Sequence, residues 1–372
     1  MDATEARLAL IRGGAAPKSH NARTIAALAS NPGCARRAIM DAAGVDKQRT
    51  GAYLGFPAPF GQSQFAISRG LAFEAQVKAD GAAELLTLLR ATLGLPIEQA
   101  HLEDLNDVGG NTENRVRHAV TTRRLVTAVT EPDEAGTMFD HPLLTLEIGG
   151  RRTYLEPDLI AFQWKGQYYI VEIKSFAVID GQADAGKVAQ AAIQSAVYVL
   201  ALRQALARHR IPAGTVSDTT ILVCPENFSN RPAGTFLDVR KQLTVLTRQL
   251  ARLDRIENLL GILPPGLSFD LTPDRSGVPR RNQTDLAAAV ATIDSRYSPE
   301  CLSTCEMCFF CREEAHGQTA ALGKQVREAL GGVEQVSAAL SLARGNGMPG
   351  DEAAAVLREA ARLRTDVLGE AV

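Results

Sequence analysis

Two acids and a lysine are the residues of this chain best placed to do chemistry: Asp158 in Leu155-Glu156-Pro157-Asp158, and Glu172 with Lys174 in Val171-Glu172-Ile173-Lys174. The run from Thr153 to Phe162 is apolar and β-prone, Trp164-Lys165-Gly166-Gln167 turns the chain, and Tyr168 to Ile173 is a second aromatic and β-branched run. Together they predict one hairpin. Asp158 and Glu172 then lie on neighbouring strands, and Glu172 and Lys174, two residues apart, share a face of the sheet. Carboxylates so placed can hold a hard cation such as Mg²⁺ or Mn²⁺, and a lysine beside them can orient water or stabilise developing negative charge. That is the equipment for hydrolysing a phosphodiester. Glu-x-Lys alone is common, and acids at strand ends are mostly solvated. The Pro157-Asp158 element sharpens the expectation, because proline suits a strand start or an edge.

These groups need a scaffold, and the next segment supplies one. A polar loop from Asp180 to Gly186 leads into a predicted helix from Lys187 to about Arg208, on which Gln194 and Tyr198 are four apart and share a face. Asp158, Glu172-Ile173-Lys174 and Gln194-Ser195-Ala196-Val197-Tyr198 resemble the PD-(D/E)xK core and the Gln-x-x-x-Tyr motif of the RecB-like nucleases. The resemblance implies an α/β fold, a restriction-endonuclease-like core with a mixed sheet flanked by helices. It implies DNA cleavage with Asp158 and Glu172 on Mg²⁺ or Mn²⁺, Lys174 orienting the attacking water or stabilising charge, and Gln194 and Tyr198 organising the site and the strand. It also implies an acid or histidine on a helix before the sheet. Glu74 in Ser68-Arg69-Gly70-Leu71-Ala72-Phe73-Glu74 answers to it as a further metal ligand, with Glu where many members carry His.

The second constellation is made of thiols. Cys301, Cys305, Cys308 and Cys311 fall within one short segment, with Cys34 far upstream and Cys224 alone in an apolar run. The start of the chain is polar, with no apolar run of the signal-peptide kind, so the expected compartment is the cytoplasm and the thiols are expected to hold metal rather than form disulfides. Their spacing suits either a tetrahedral Cys₄ Zn²⁺ built from the C-terminal four or an iron–sulfur cluster using three of them and a distant cysteine. Within the resembling family, an iron–sulfur subgroup, which includes AddB-type and CRISPR-adaptation nucleases, carries one cysteine before the core and three after it, holding a [4Fe–4S] cluster. Asn31-Pro32-Gly33-Cys34-Ala35-Arg36-Arg37 resembles the upstream element, so four of Cys34, Cys301, Cys305, Cys308 and Cys311 are the implied ligands. Cys301, Cys305 and Cys308 also match the Cys-x₃-Cys-x₂-Cys of radical enzymes using S-adenosylmethionine, but no βα array follows them. Cys224 has the character of a small buried strand residue.

Length and composition fit this scheme. The chain has 372 residues, 45% of them hydrophobic, enough for one large domain or two. No apolar run reaches the ~18–20 residues that cross a membrane. A net charge of −2 gives no global attraction to nucleic acid, so a DNA path must come from local clusters such as Arg36-Arg37, Arg123-Arg124, Arg151-Arg152 or Arg280-Arg281, each of which is more often a solvated face. Aromatic residues make up only 5%, too few for an extensive base-stacking platform. The expected organisation is a helical segment over 1–65 carrying Cys34, a nuclease core over 66–228 with an insertion at about 97–134, helices and the cysteine group over 229–320, and a C-terminal helical pair over 321–372. Within the core a helix is expected from about Ile67 to Leu93, with strands near Leu143–Ile148, Thr153–Phe162, Tyr168–Ser175 and Thr219–Val223. The expected partner is DNA, single-stranded or with free ends, alongside proteins of a repair or defence complex. A binding or assembly module with a silent core, and a Cys₄ zinc protein, are the competing expectations.

Overall fold

A computed structural model describes residues 3–31, 33–58, 64–94, 96–106, 108, 110, 113–131, 135–148, 151–155, 159–227, 229–253, 256–330, 332–347 and 351–369. In chain order, α1 (Ala3–Arg12), α2 (Ala22–Ser30), α3 (Ala35–Ala43), α4 (Lys47–Tyr53), α5 (Gln64–Val77) and α6 (Ala79–Leu93) precede β1 (Ala100–Asp104) and α7 (Asn114–Thr130). Five strands follow: β2 (Gly136–Asp140), β3 (Leu144–Ile148), β4 (Arg151–Leu155), β5 (Leu159–Trp164) and β6 (Gln167–Ile173). Then come α8 (Ala185–Ala207), β7 (Thr219–Pro225), β8 (Pro232–Asp238), α9 (Arg240–Leu253), α10 (Ile256–Leu260) and α11 (Gln283–Ala291). The last helices are α12 (Cys301–Thr304), α13 (Cys308–Glu314), α14 (Lys324–Ala329), α15 (Val336–Ala343) and α16 (Glu352–Leu368).

The chain divides into two compact units. A helical unit is assembled from Met1–Lys18, Ser30–Phe60 and Glu257–Val372, and a sheet unit from Ser19–Ala29 and Gly61–Ile256. The sheet unit therefore reaches past the expected 66–228 to take in β8 and α9.

The sheet unit is α/β, built on a mixed six-stranded sheet in the order β1-β2-β5-β6-β7-β8. β2, β5 and β6 form an antiparallel meander, while β6 and β7 run parallel and are joined by the α8 crossover. The β5–β6 hairpin forms as its sequence predicts. Lys165 and Gly166 take positive φ of 47° and 76° between the paired Trp164 and Gln167, a two-residue turn whose twist matches the strands. On one face Phe73, Val77, Leu85 and Leu89 of α5 and α6 bury against Met138, Phe162, Val171, Ile173, Ile221 and Val223. On the other, Ala191 of α8 packs on Leu222 and Cys224. Asp184 caps α8, its Oδ1 accepting the Lys187 amide at 2.8 Å. α8 has the length and hydropathy of a membrane span, yet half of that window is buried inside the unit, as in a core helix.

Several elements differ from expectation for local reasons. The single helix over 67–93 is two, because Asp80, Gly81 and Ala82 adopt left-handed φ at the start of α6, with glycine at the centre where that conformation costs least. The expected strand over 153–162 is split: β4 pairs with β3 in a separate two-stranded sheet, and only β5 joins the main one. The stretch at 97–134 is more than an insertion, since β1 extends the main sheet alongside β2. The first member of the C-terminal helical pair expected over 321–372 is itself two helices, α14 and α15, with Gly332 at φ 84° between them.

Candidate active site and thiol recess

β6 carries Glu172 into the sheet opposite Leu159 and Leu222, and its side chain is 2% exposed. The chain leaves the strand at Lys174, whose amide still bonds to Val223 O at 2.9 Å and whose side chain is 25% exposed. Period-2 alternation puts both on the α8 face. There Lys174 Nζ lies 2.5 Å from Glu172 Oε1 and donates to Gln194 Oε1 at 3.2 Å. Gln194 Nε2 in turn donates to Tyr198 OH at 3.4 Å, one helical turn on. Glu172, Lys174, Gln194 and Tyr198 thus stand in one line of polar contacts from strand to helix. Asp158 lies outside the described residues.

Glu74 is in a different group. Its carboxylate pairs with Lys78 one turn along α5, and Lys78 Nζ reaches Asp140 Oδ1 at 2.6 Å. His141 Nδ1 lies 3.2 Å from Asp140 Oδ1, and Asp104 Oδ1 is 3.8 Å from the same nitrogen. Glu74, Asp140 and His141 offer ligand atoms that all lie within 4.8 Å of one another. The register sets Asp140 in the row of Val171, on the α5 face, one residue out of step with Glu172. Burial pushes the Asp140 carboxyl up, but His141 and Lys78 outweigh it and hold the group below its usual value. The Asp140 carboxylate in turn holds the His141 imidazole above its ordinary value. The Lys78 ammonium is also raised, its two acids overcoming the cost of burial.

Asp140, His141 and Lys78 are not among the site residues expected from the sequence. The available signal is the dipeptide Asp140-His141 closing the run Thr137-Met138-Phe139, shortly after the expected insertion and just before the first expected strand.

In the helical unit, Cys34, Cys301, Cys305, Cys308 and Cys311 all line one recess, together with Asn31, Arg37, Arg296 and Tyr297. Every thiol is free, and all but the partly exposed Cys34 are buried. Cys34 sits at the N-cap of α3, so the next turns carry Arg36 and Arg37 inward. Arg36 Nη1 donates to Cys311 Sγ at 3.2 Å and pairs with Glu314. Asn31 Nδ2 donates to Cys301 Sγ at 3.1 Å. The Met307 and Phe309 amides bond to the Cys305 and Cys308 sulfurs. Arg37 is bound to Thr304 O at 2.7 Å and to Asp41, while its buried Nη1 has no hydrogen-bond partner among the described residues. Burial pushes the Cys305 thiol up to about 11 and the Cys311 thiol up to about 12, against the pull of Arg37 and Arg36 respectively. These thiols are therefore protonated at neutral pH unless a metal takes the place of the proton.

The donor set fits a thiolate-bound metal group, and its geometry bears on which. Tetrahedral zinc with Zn–S near 2.3 Å brings its four sulfurs to about 3.8 Å from one another. Among the described residues, no three of these thiols bring their sulfurs within 4.8 Å of each other. A larger thiolate-ligated group would be held by the same cysteines, and Arg37 would have an N–H to donate to it.

No protein-family profile, curated protein or solved structure matches this chain.

Proposed function

We propose that the chain is a divalent-cation-dependent DNA nuclease of the RecB-like PD-(D/E)xK kind, with a structural [4Fe–4S] cluster in its helical unit. The observation that carries this is the continuous line Glu172, Lys174, Gln194, Tyr198, which joins the Glu-x-Lys strand to the Gln-x-x-x-Tyr helix by direct contact. The order of elements also supports it: helix, three antiparallel strands, crossover helix, parallel strand.

Each side chain has a role in that chemistry. Lys174 has three donors, of which two are engaged among the described residues, and the third would serve a phosphate oxygen or the attacking water. Gln194 is oriented by its two contacts: Oε1 accepts from the lysine, so Nε2 faces Tyr198. Glu172 and Asp158 are the acids the family pattern assigns to Mg²⁺ or Mn²⁺, with Glu74, Asp140 and His141 as a further donor group whose oxygens and imidazole suit Mn²⁺. Lys78 pairs with two of its members, Glu74 and Asp140, so a cation held there would have to displace its ammonium. The cation, when bound, supplies an activated water and charge neutralisation at phosphate. The thiolate cluster takes no part in hydrolysis. It ties Cys34 to the segment from Cys301 to Cys311.

The test is anaerobic purification followed by assay of wild type and Lys174→Ala on end-labelled single- and double-stranded DNA with Mn²⁺, recording the visible absorbance of a thiolate-ligated iron–sulfur centre. Cleavage lost in the variant with the absorbance present in both is the expected result. No cleavage by wild type with a loaded cluster would overturn the nuclease assignment, and zinc without labile sulfide would overturn the cluster.

A further inference from the structure

α16 leaves most of its surface uncovered. Ala354 is wholly buried and Leu357 and Ala361 partly so, the side on which α16 packs against α15. α15 has eight residues and α16 seventeen, about 25 Å of helix, so the hairpin covers only the first half of α16. Along the adjoining stripe Val356 is 56% exposed, Leu363 51% and Val367 80%, with exposed Ala360 between them. Val356, Ala360, Leu363 and Val367 recur at spacings of four, three and four, the seam of a two-stranded coiled coil rather than the wider stripe of a helix on a globular core.

We propose that this stripe is a self-association surface that takes the α16 of a second copy of the chain in parallel. The flanking charges select that occupant. With Ala360 and Val367 at the a positions and Leu363 at d, Glu359 is at g and Arg364 at the following e. In a parallel pair each Glu359 faces the Arg364 of the other copy, twice over by symmetry. An antiparallel pair would set Glu359 against Asp366, acid on acid. Leu363 at d with β-branched Val367 at a is the combination that favours two strands, and Ala360 lets the backbones approach.

The test uses the full chain in sedimentation and light scattering over a range of concentrations. Wild type should approach the mass of two chains as concentration rises, and Leu363→Glu should remain single while keeping its helical content and visible absorbance. Glu359→Arg and Arg364→Glu should each associate roughly tenfold more weakly, as two exposed pairs turn from attraction to repulsion. An equimolar mixture of those two variants should recover wild-type association, because each now complements the other. Glu359 also pairs with Arg362 in its own helix, but loss of that pair cannot produce rescue on mixing. A wild type that stays single at the highest concentration, or a mixture no stronger than its components, would overturn the proposal.

Discussion

Replacing Lys174 with methionine should destabilise the sheet unit, and neutralising Glu172 as well should restore much of the loss without restoring cleavage. The Glu172 carboxylate is nearly inaccessible, and its closest cation is the Lys174 ammonium at 2.5 Å. Removing one member of a buried pair costs ~3–5 kcal/mol. Lys174 keeps a quarter of its exposure, which places the expected cost near the lower end, about 3 kcal/mol. For a unit of this size that is a fall in melting temperature of roughly 6–12 °C. In Glu172→Gln/Lys174→Met the neutral amide no longer needs a cation, and about 2 kcal/mol should return. The assay is chemical denaturation in a metal chelator. The chain's one tryptophan, Trp164, lies in β5, so its fluorescence reports on this unit. Nuclease activity should be absent from both single variants and from the double. A Lys174→Met protein within about 0.5 kcal/mol of wild type, or a double variant no more stable than Lys174→Met, would refute the coupling drawn from the geometry.

Two further outcomes are expected. Cys34→Ala should lose the brown colour of the cluster and lower the melting temperature together, measured by absorbance and circular dichroism, and retention of both would exclude Cys34 as a ligand. Asp46 caps α4, accepting the Arg49 amide at 3.0 Å and pairing with Lys18, so Asp46→Ala should cost about 1 kcal/mol at neutral pH. Burial opposes ionisation of Asp46, but the amide and Lys18 outweigh it and hold its carboxyl below the usual 3.8. Its contribution is therefore present above that value and disappears as pH falls through the native one, and urea midpoints of variant and wild type should converge in acid. A gap that persists there would count against the capping role.

What the sequence revealed depended on how strongly each segment's pattern was forced. The β5–β6 hairpin was legible because Lys165-Gly166 is good turn chemistry between two β-prone runs. Two periodicities, two on the strand and four on the helix, put Glu172 with Lys174 and Gln194 with Tyr198 on shared faces, but that the strand face meets the helix face was implied by the family resemblance alone. β2 was missed because four of its five residues are buried, so no alternation marks it, and the Asp140-His141 pair at its end went unnoticed with it. β1, with the sequence Ala-His-Leu-Glu-Asp, is a half-exposed edge strand that carries little β signal of its own. The spacing of the C-terminal cysteines is what raised the expectation of metal ligation. That Cys34 and all four of them line one recess, beside an arginine nitrogen with nothing to bind, is a tertiary fact that no local pattern encodes.

The helical unit draws its thiols from opposite ends of the sequence, and this orders events during synthesis. At 5–20 residues per second, the ribosome delivers Cys311 roughly 15–55 s after Cys34. During that interval Cys34 waits for the four thiols of its recess, while Gly61–Ile256, the greater part of the sheet unit, emerges and can fold. On the proposed reading, metal loading would then be a late step that waits for Cys311. A nascent protein stalled before Cys301 would carry Cys34 open to oxidation and without the four thiols that share its recess, whereas Cys301, Cys305, Cys308 and Cys311 are buried once the recess forms.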